Sequence, residues 1–214
     1  MNVIKIPDYG QHLLFAGTTS SGKSQLALEL LKQFNSYFVI DTQDSLILPG
    51  STKITSPKML KQKLQFFKKI RYVPSGEYRT KAYWNYIFKT LSDSSSKKKP
   101  RPRIIYIDEI YHLGYGVNFP NWIPIMATTG RQRKLSLWIS SQRPSMIPIP
   151  TMSECTRFYL FYISYDEDIT KMSKFVRKDK RGLIQELNQI ELDYSFIEVD
   201  RIRGEWRKMP KIKL

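Results

Sequence analysis

Short apolar runs alternate with amphipathic segments along the chain. His12-Leu13-Leu14-Phe15-Ala16 is a buried-strand pattern, and Gln25 to Phe34 then sets Leu26, Leu30, Leu31 and Phe34 on one helical face. Ser36 to Asp41 is a second β-rich run, ending in Asp41 at the edge where ligands gather in α/β sheets. Pro49-Gly50 marks a turn. Ser56-Pro57 opens a helix to about Lys69, with Met59, Leu60, Leu64 and Phe67 as its apolar stripe. Ile70 to Pro74 reads as a short strand. Glu77 to Leu91 reads as a helix carrying Tyr83, Trp84, Ile87, Phe88 and Leu91, whose helical spacing assigns them to a core rather than to a stacking platform. Strands follow at Ile104 to Asp108, Leu135 to Ser141, Arg157 to Ser164 and Tyr194 to Val199. Helices are expected at Pro120 to Thr129, Asp166 to Val176 and Leu183 to Ile190. This alternation predicts an α/β fold with a mostly parallel central sheet flanked by helices.

Between these elements lie polar and proline-bearing breaks. Met1 to Tyr9 is an extended lead-in without a signal-peptide core. Ser92 to Arg103 reads as a loop, in which Lys97, Lys98, Lys99, Arg101 and Arg103 stand among prolines. It is either a solvated surface or a phosphate-contacting arm. Tyr111 to Phe119 is irregular, Arg143 to Pro150 is a loop, and a basic tail begins at Arg201. The 214 residues suggest a single domain, with a core over about 10–165 and a basic extension over 166–214.

Composition narrows the partners. The formal net charge is +16, which attracts polyanions, nucleic acid first and anionic membrane second. A lysine-rich surface habit is the plainer alternative. One cysteine excludes an internal disulfide, and with two histidines it argues against zinc. No apolar run is long enough to cross a bilayer, so an intracellular or particle-enclosed protein is expected.

The candidate chemistry starts at Gly17-Thr18-Thr19-Ser20-Ser21-Gly22-Lys23-Ser24, which fits the phosphate-binding P-loop pattern between a strand and a helix. With Gln25 these residues are the candidate nucleotide-binding set. Glycines let backbone N–H groups converge, Lys23 reaches the outer phosphates, and Ser24 can ligate Mg2+. Ile104-Ile105-Tyr106-Ile107-Asp108-Glu109 reads as a Walker B strand. Asp108 is the second candidate magnesium residue, and Glu109 the base that takes a proton from water. Gln142 ends another strand, either as a γ-phosphate sensor or as an ordinary polar terminus. Arg131, Arg133 and Arg143 flank that strand, and one of them acting across a subunit interface could stabilise phosphoryl charge.

GTTSSGKS, IIYIDE and TGRQRKLSLWISSQRPS occur in that order and together resemble the FtsK/HerA-type DNA-pumping ATPases over roughly residues 10–165. The resemblance implies a RecA-like core in which the glutamine strand lies between the P-loop and Walker B strands. It makes Gln142 the sensor and Arg131 the trans-acting finger, with Arg133 as fallback. The size and bare core look most like the genome-packaging ATPases of tailless, internal-membrane double-stranded DNA viruses. That implies ATP and Mg2+ as ligands, a homo-oligomeric ring (a hexamer in the family), and double-stranded DNA gripped by its backbone. It also implies capsid-vertex or viral-membrane partners, and a place in the host cytoplasm or at the packaging vertex of the virion. Lys97 to Arg103 and Lys171 to Arg181 are the candidate DNA loops. Two other readings stand beside it: a small P-loop kinase with Asp41 at its acceptor site, and a phage-assembly or secretion ATPase.

Overall fold

The computed structural model describes residues 4–95, 102–114, 116–190 and 194–211. Among these the strands are β1 (His12–Ala16), β2 (Tyr37–Asp41), β3 (Thr52–Ile54), β4 (Lys69–Tyr72), β5 (Ile104–Asp108), β6 (Ser136–Ser141), β7 (Cys155–Leu160), β8 (Phe196–Asp200) and β9 (Glu205–Met209). The helices are α1 (Lys23–Leu31), α2 (Leu60–Phe66), α3 (Lys81–Ser95), α4 (Trp122–Gly130), α5 (Ile149–Ser153), α6 (Asp166–Val176) and α7 (Lys180–Asn188). Every residue of β1, β2, β5, β6 and β7 is buried. Continuous burial is what a parallel sheet covered on both faces demands, because successive side chains point to opposite sides.

The strands form one sheet in the order β3-β4-β2-β5-β6-β1-β7-β8-β9. β3 to β7 are mutually parallel, and β8 and β9 close one side antiparallel. β6 lies between β5 and β1, as the family resemblance implies. Leu13, Phe15, Tyr106, Trp138 and Tyr159 pack with α1 on one face, and Leu14, Ile105, Ile107 and Ile139 pack with residues of α3 and α4 on the other. At the centre Phe15 stacks on Tyr159 at 5.0 Å and meets Tyr106 edge-on at 6.2 Å.

Several expected boundaries move. The helix after Pro57 ends at Phe66, and Met59 and Phe67 are exposed, so only Leu60 and Leu64 of its expected stripe are buried. The stripe was over-long because Lys69 already starts β4. α3 runs to Ser95, which takes Ser92 to Ser95 out of the expected loop. Burial of Thr90, Leu91 and Ser92, and the Arg133 hydrogen bonds to Ser92, override the weak helix propensity of serine there. Residues 96–101 of the basic arm lie outside the described residues, and the Arg103 guanidinium sits over the Tyr9 ring at 5.4 Å. The Arg143 to Pro150 loop contains a one-turn helix at Pro144–Met146 and the start of α5. Two strands after residue 165 belong to the same sheet: β8 pairs with β7, and the basic tail turns at Gly204 into β9.

His12 ties the lower edge of this sheet. It is fully buried, and its Nδ1 accepts the Leu137 N–H at 2.8 Å, so the neutral ring fits the site. Burial pushes its pKa down to about 4. The unfolded chain therefore binds this proton first, and stability should fall as pH drops from about 6.5 towards 4. The full shift corresponds to about 3 kcal/mol. Denaturant titrations across this range check it. His12→Asn, whose carbonyl can accept the same N–H, should flatten the acid slope, and an unchanged slope would exclude His12 as its source.

Candidate functional site

β1 delivers Gly17 to the end of the sheet, where its N–H bonds Ser141 O at 3.2 Å. The loop then turns through Ser20 and Gly22, with φ of 57° and 104°, and enters α1 at Lys23. A Cβ on Gly17 would stand 2.6 Å from the Phe161 Cβ, so the close approach of the backbone to the residue after β7 requires glycine there. Thr18 N–H is held by Tyr162 O at 2.9 Å. Ser21 Oγ is buried and has no partner among the described residues. A cradle that ends in a helix N-terminus and holds an unsatisfied hydroxyl suits an anionic ligand.

Lys23 is almost wholly buried, with Nζ donating to Thr18 O at 2.7 Å and lying 3.5 Å from Glu109 Oε1. Burial lowers its pKa, and Glu109 and Asp108 oppose that. Glu109 sits just past β5 in the left-handed region, at φ 54°. Its carboxylate accepts Gln142 N–H at 3.1 Å. Burial raises its pKa, with Lys23 pulling the other way. A carboxylate so placed takes up a proton more readily than one in water, which suits a general base.

Asp108 receives three hydroxyls on one oxygen. Ser24 Oγ donates to Oδ1 at 2.8 Å, Tyr106 Oη at 2.7 Å and Ser140 Oγ at 3.1 Å. Ser140 Oγ also accepts Glu109 N–H at 3.0 Å, so one side chain fixes both Walker B acids. Sequence reasoning passed over Tyr106 and Ser140. Both read as ordinary positions inside apolar strands; the signal was their parity, since Tyr106 shares a sheet face with Asp108 two residues on. Gln142 Oε1 accepts Thr19 Oγ1 at 2.6 Å, which places the expected sensor against the P-loop.

Lys23, Ser24, Asp108, Glu109 and Gln142 are thus brought together. Gln25 faces along α1 and bonds Glu29 at 3.1 Å. Arg131 is not in this group. It stands ahead of β6, with its carbonyl near Gly10 at the opposite edge of the sheet, and its side chain is exposed. Arg143 follows Gln142 but is engaged within the chain: Nε meets Asp168 at 3.0 Å and the guanidinium covers Tyr165 at 4.4 Å. Asp41, the expected acceptor residue of a kinase, is fully buried and receives the N–H groups of Gln43, Ser45 and Leu46.

The donor set fits a magnesium nucleotide. Mg2+ is held by few protein oxygens beside phosphates, and the Ser24–Asp108 pair is of that kind. Among the described residues no cluster of three or more His, Cys, Asp or Glu could cage a metal by itself. Bound there, the ion would offset phosphate charge.

No protein-family model and no curated protein sequence matches the chain. Solved structures do. The genome packaging NTPase B204 from Sulfolobus turreted icosahedral virus 2, in complex with ATP-γS, superposes with a TM-score of 0.75 at 16% identity, over 97% of this chain and 100% of that one. This is a P-loop NTPase fold. The conjugation coupling protein TcpA of pCW3, with ATP-γS, matches with a TM-score of 0.62 at 16% identity, covering 94% of this chain and 60% of that one. EccC (ATPases 2 and 3) of Thermomonospora curvata, in complex with a signal sequence peptide, matches at 0.56 and 12% identity, over 97% and 38%. At such identities the similarity is one of fold.

Glu109→Gln should retain nucleotide binding and lower ATP turnover by about 10²-fold or more. The wild-type pH profile should show an acid limb above the usual carboxylate range, because burial raises the Glu109 pKa, and the variant should lack it. Ser140→Ala leaves the Glu109 N–H without its acceptor, a cost of about 1–3 kcal/mol. Steady-state kinetics should show a reduced kcat with KM for ATP little changed; an unaltered kcat would remove Ser140 from the machinery.

Proposed function

We propose that the chain is an ATP-hydrolysing motor of the FtsK/HerA type that moves double-stranded DNA, as a viral genome-packaging ATPase. The observation that carries this reading is the assembled site: P-loop, Asp108, Glu109 and Gln142 meet at one strand edge, in a fold that superposes over the full length of a packaging NTPase. Lys23 and the P-loop backbone hold the phosphates, Ser24 and Asp108 would hold magnesium, and Glu109 accepts a proton from the attacking water. Gln142, bonded to Thr19, reports what the P-loop holds. Arg131, exposed at the far edge, is the residue offered to a neighbouring subunit in a ring.

The +16 charge supports DNA as the cargo. Of the expected contact stretch Lys171 to Arg181, three lysines are occupied internally: Lys171 on Ser145 O and Ile147 O, Lys178 on Glu186 and Lys180 on Asp166. Lys174, Arg177 and Arg181 are exposed, and they are the contacts we assign. The kinase alternative loses support from the internally satisfied Asp41 carboxylate. A secretion ATPase keeps support from the EccC likeness, and a peptide cargo would not need the basic excess.

ATPase activity measured with and without duplex DNA, alongside oligomer mass in the same buffer, tests the proposal. Duplex DNA should stimulate turnover at low salt. The stimulation should decay steeply with ionic strength, since each phosphate contact contributes about −0.9 to the log–log slope. The triple change of Lys174, Arg177 and Arg181 to alanine should flatten that slope while leaving basal turnover in place. Turnover indifferent to duplex DNA would contradict the proposal.

A further inference from the structure

Beside the phosphate cradle lies a cavity of about 210 Å³. Thr18 to Ser21 form one wall, and Tyr162, Ile190, Tyr194 and Ser195 the other. It is smaller than the roughly 300–1,000 Å³ that encloses a whole drug-sized ligand, and so suits one ring system of a larger molecule.

Three observations bear on its occupant. The cavity is continuous with the P-loop, and the Thr18 N–H bond to Tyr162 O fixes the two walls to each other. The Tyr194 ring lies against the start of α1, where a Cβ on Gly22 would stand 3.6 Å from its Cδ1, yet the residue is 56% exposed. Tyr194 is also held at φ 62°, a left-handed conformation that is costly for a bulky side chain and is retained where the surroundings impose it. Ile190, 2% exposed, adds an apolar surface beside it.

We propose that this cavity takes the nucleobase of the triphosphate whose phosphates occupy the P-loop, with Tyr194 as the stacking face. The inference rests on the reading of the P-loop as a triphosphate site and adds what selects the substrate. The polar side chains of the lining are all hydroxyls, from Ser, Thr and Tyr. Among the described residues it carries no side-chain carboxylate, amide or guanidinium fork, the groups that read a base edge with paired hydrogen bonds. Stacking holds a base because every base has a π-face, and it discriminates poorly between them. The substrate class is therefore nucleoside triphosphates held by stacking of the base, with adenine only weakly preferred to guanine.

Calorimetric binding of ATP, GTP and inorganic tripolyphosphate, with magnesium and without DNA, tests this on the wild type, Tyr194→Ala, Tyr194→Phe and Lys23→Ala. ATP and GTP should bind the wild type within about fivefold of each other, and at least about tenfold more tightly than tripolyphosphate. Tyr194→Ala should lose that tenfold advantage and Tyr194→Phe should keep it. Tripolyphosphate should bind both variants as it binds the wild type, which also reports that they are folded. Lys23→Ala should weaken all three ligands. The proposal is overturned if Tyr194→Ala binds ATP as the wild type does, or if ATP is preferred to GTP by more than about 100-fold. Wild type that binds tripolyphosphate as tightly as ATP would overturn the base site and leave the phosphate site standing. Wild type that binds neither would remove the phosphate site and the base site together.

Discussion

Three parallel strands finish within a residue of one another, and the site depends on that. Ala16 of β1 lies opposite Ser141 of β6, and Ile107 of β5 opposite Ile139. The residues that follow therefore emerge at one edge: Gly17 after Ala16, Gln142 after Ser141, and Asp108 and Glu109 after Ile107. A slip of one residue in any pair would turn the chemistry-bearing side chains to the wrong face of the sheet. The buried aromatic stack of Phe15, Tyr106 and Tyr159, with Trp138 beside it, locks the register from one side, and the aliphatic layer of Leu14, Ile107 and Ile139 locks it from the other.

Within that frame the charged groups are buried and mutually satisfied. Lys23 and Glu109 lie 3.5 Å apart, each almost out of solvent. Breaking such a pair by removing one partner is costly, so each holds the other in place. Asp108 is fixed through one oxygen by three hydroxyls, and Ser140 passes that order on to the Glu109 backbone. Gln142 touches both walls, its N–H on Glu109 and its amide oxygen on Thr19. A change at the P-loop thus has a short route to the Glu109 carboxylate.

Much of this was readable from residues. The P-loop, the Walker B strand and the glutamine strand each carry a local signature, and the continuous apolar runs announced a parallel sheet. What escaped depended on contacts remote in sequence. Ser140 and Tyr106 gain their roles only when β5 and β6 pair. The end of α3 is set by Arg133, 41 residues beyond Ser92. The tail read as a basic extension because charge dominates its composition, yet Glu198 accepts Arg207 at 2.8 Å across β8 and β9 and joins it to the sheet. Arg131 shows the opposite case: its motif position was plain, while its place at the far edge keeps it away from Lys23 and Glu109.

The fold thus separates two tasks. Strand ends carry the candidate triphosphate site, while Lys174, Arg177 and Arg181 on α6, α7 and the turn between them are exposed, where the proposal puts the polyanion. The central claim is that hydrolysis at Glu109 moves duplex DNA. Displacement of a third strand from a triplex by the full-length protein measures that movement directly. The account predicts displacement that needs hydrolysable ATP, fails with a non-hydrolysable analogue and fails in Glu109→Gln. Vigorous DNA-stimulated hydrolysis without any displacement would contradict it.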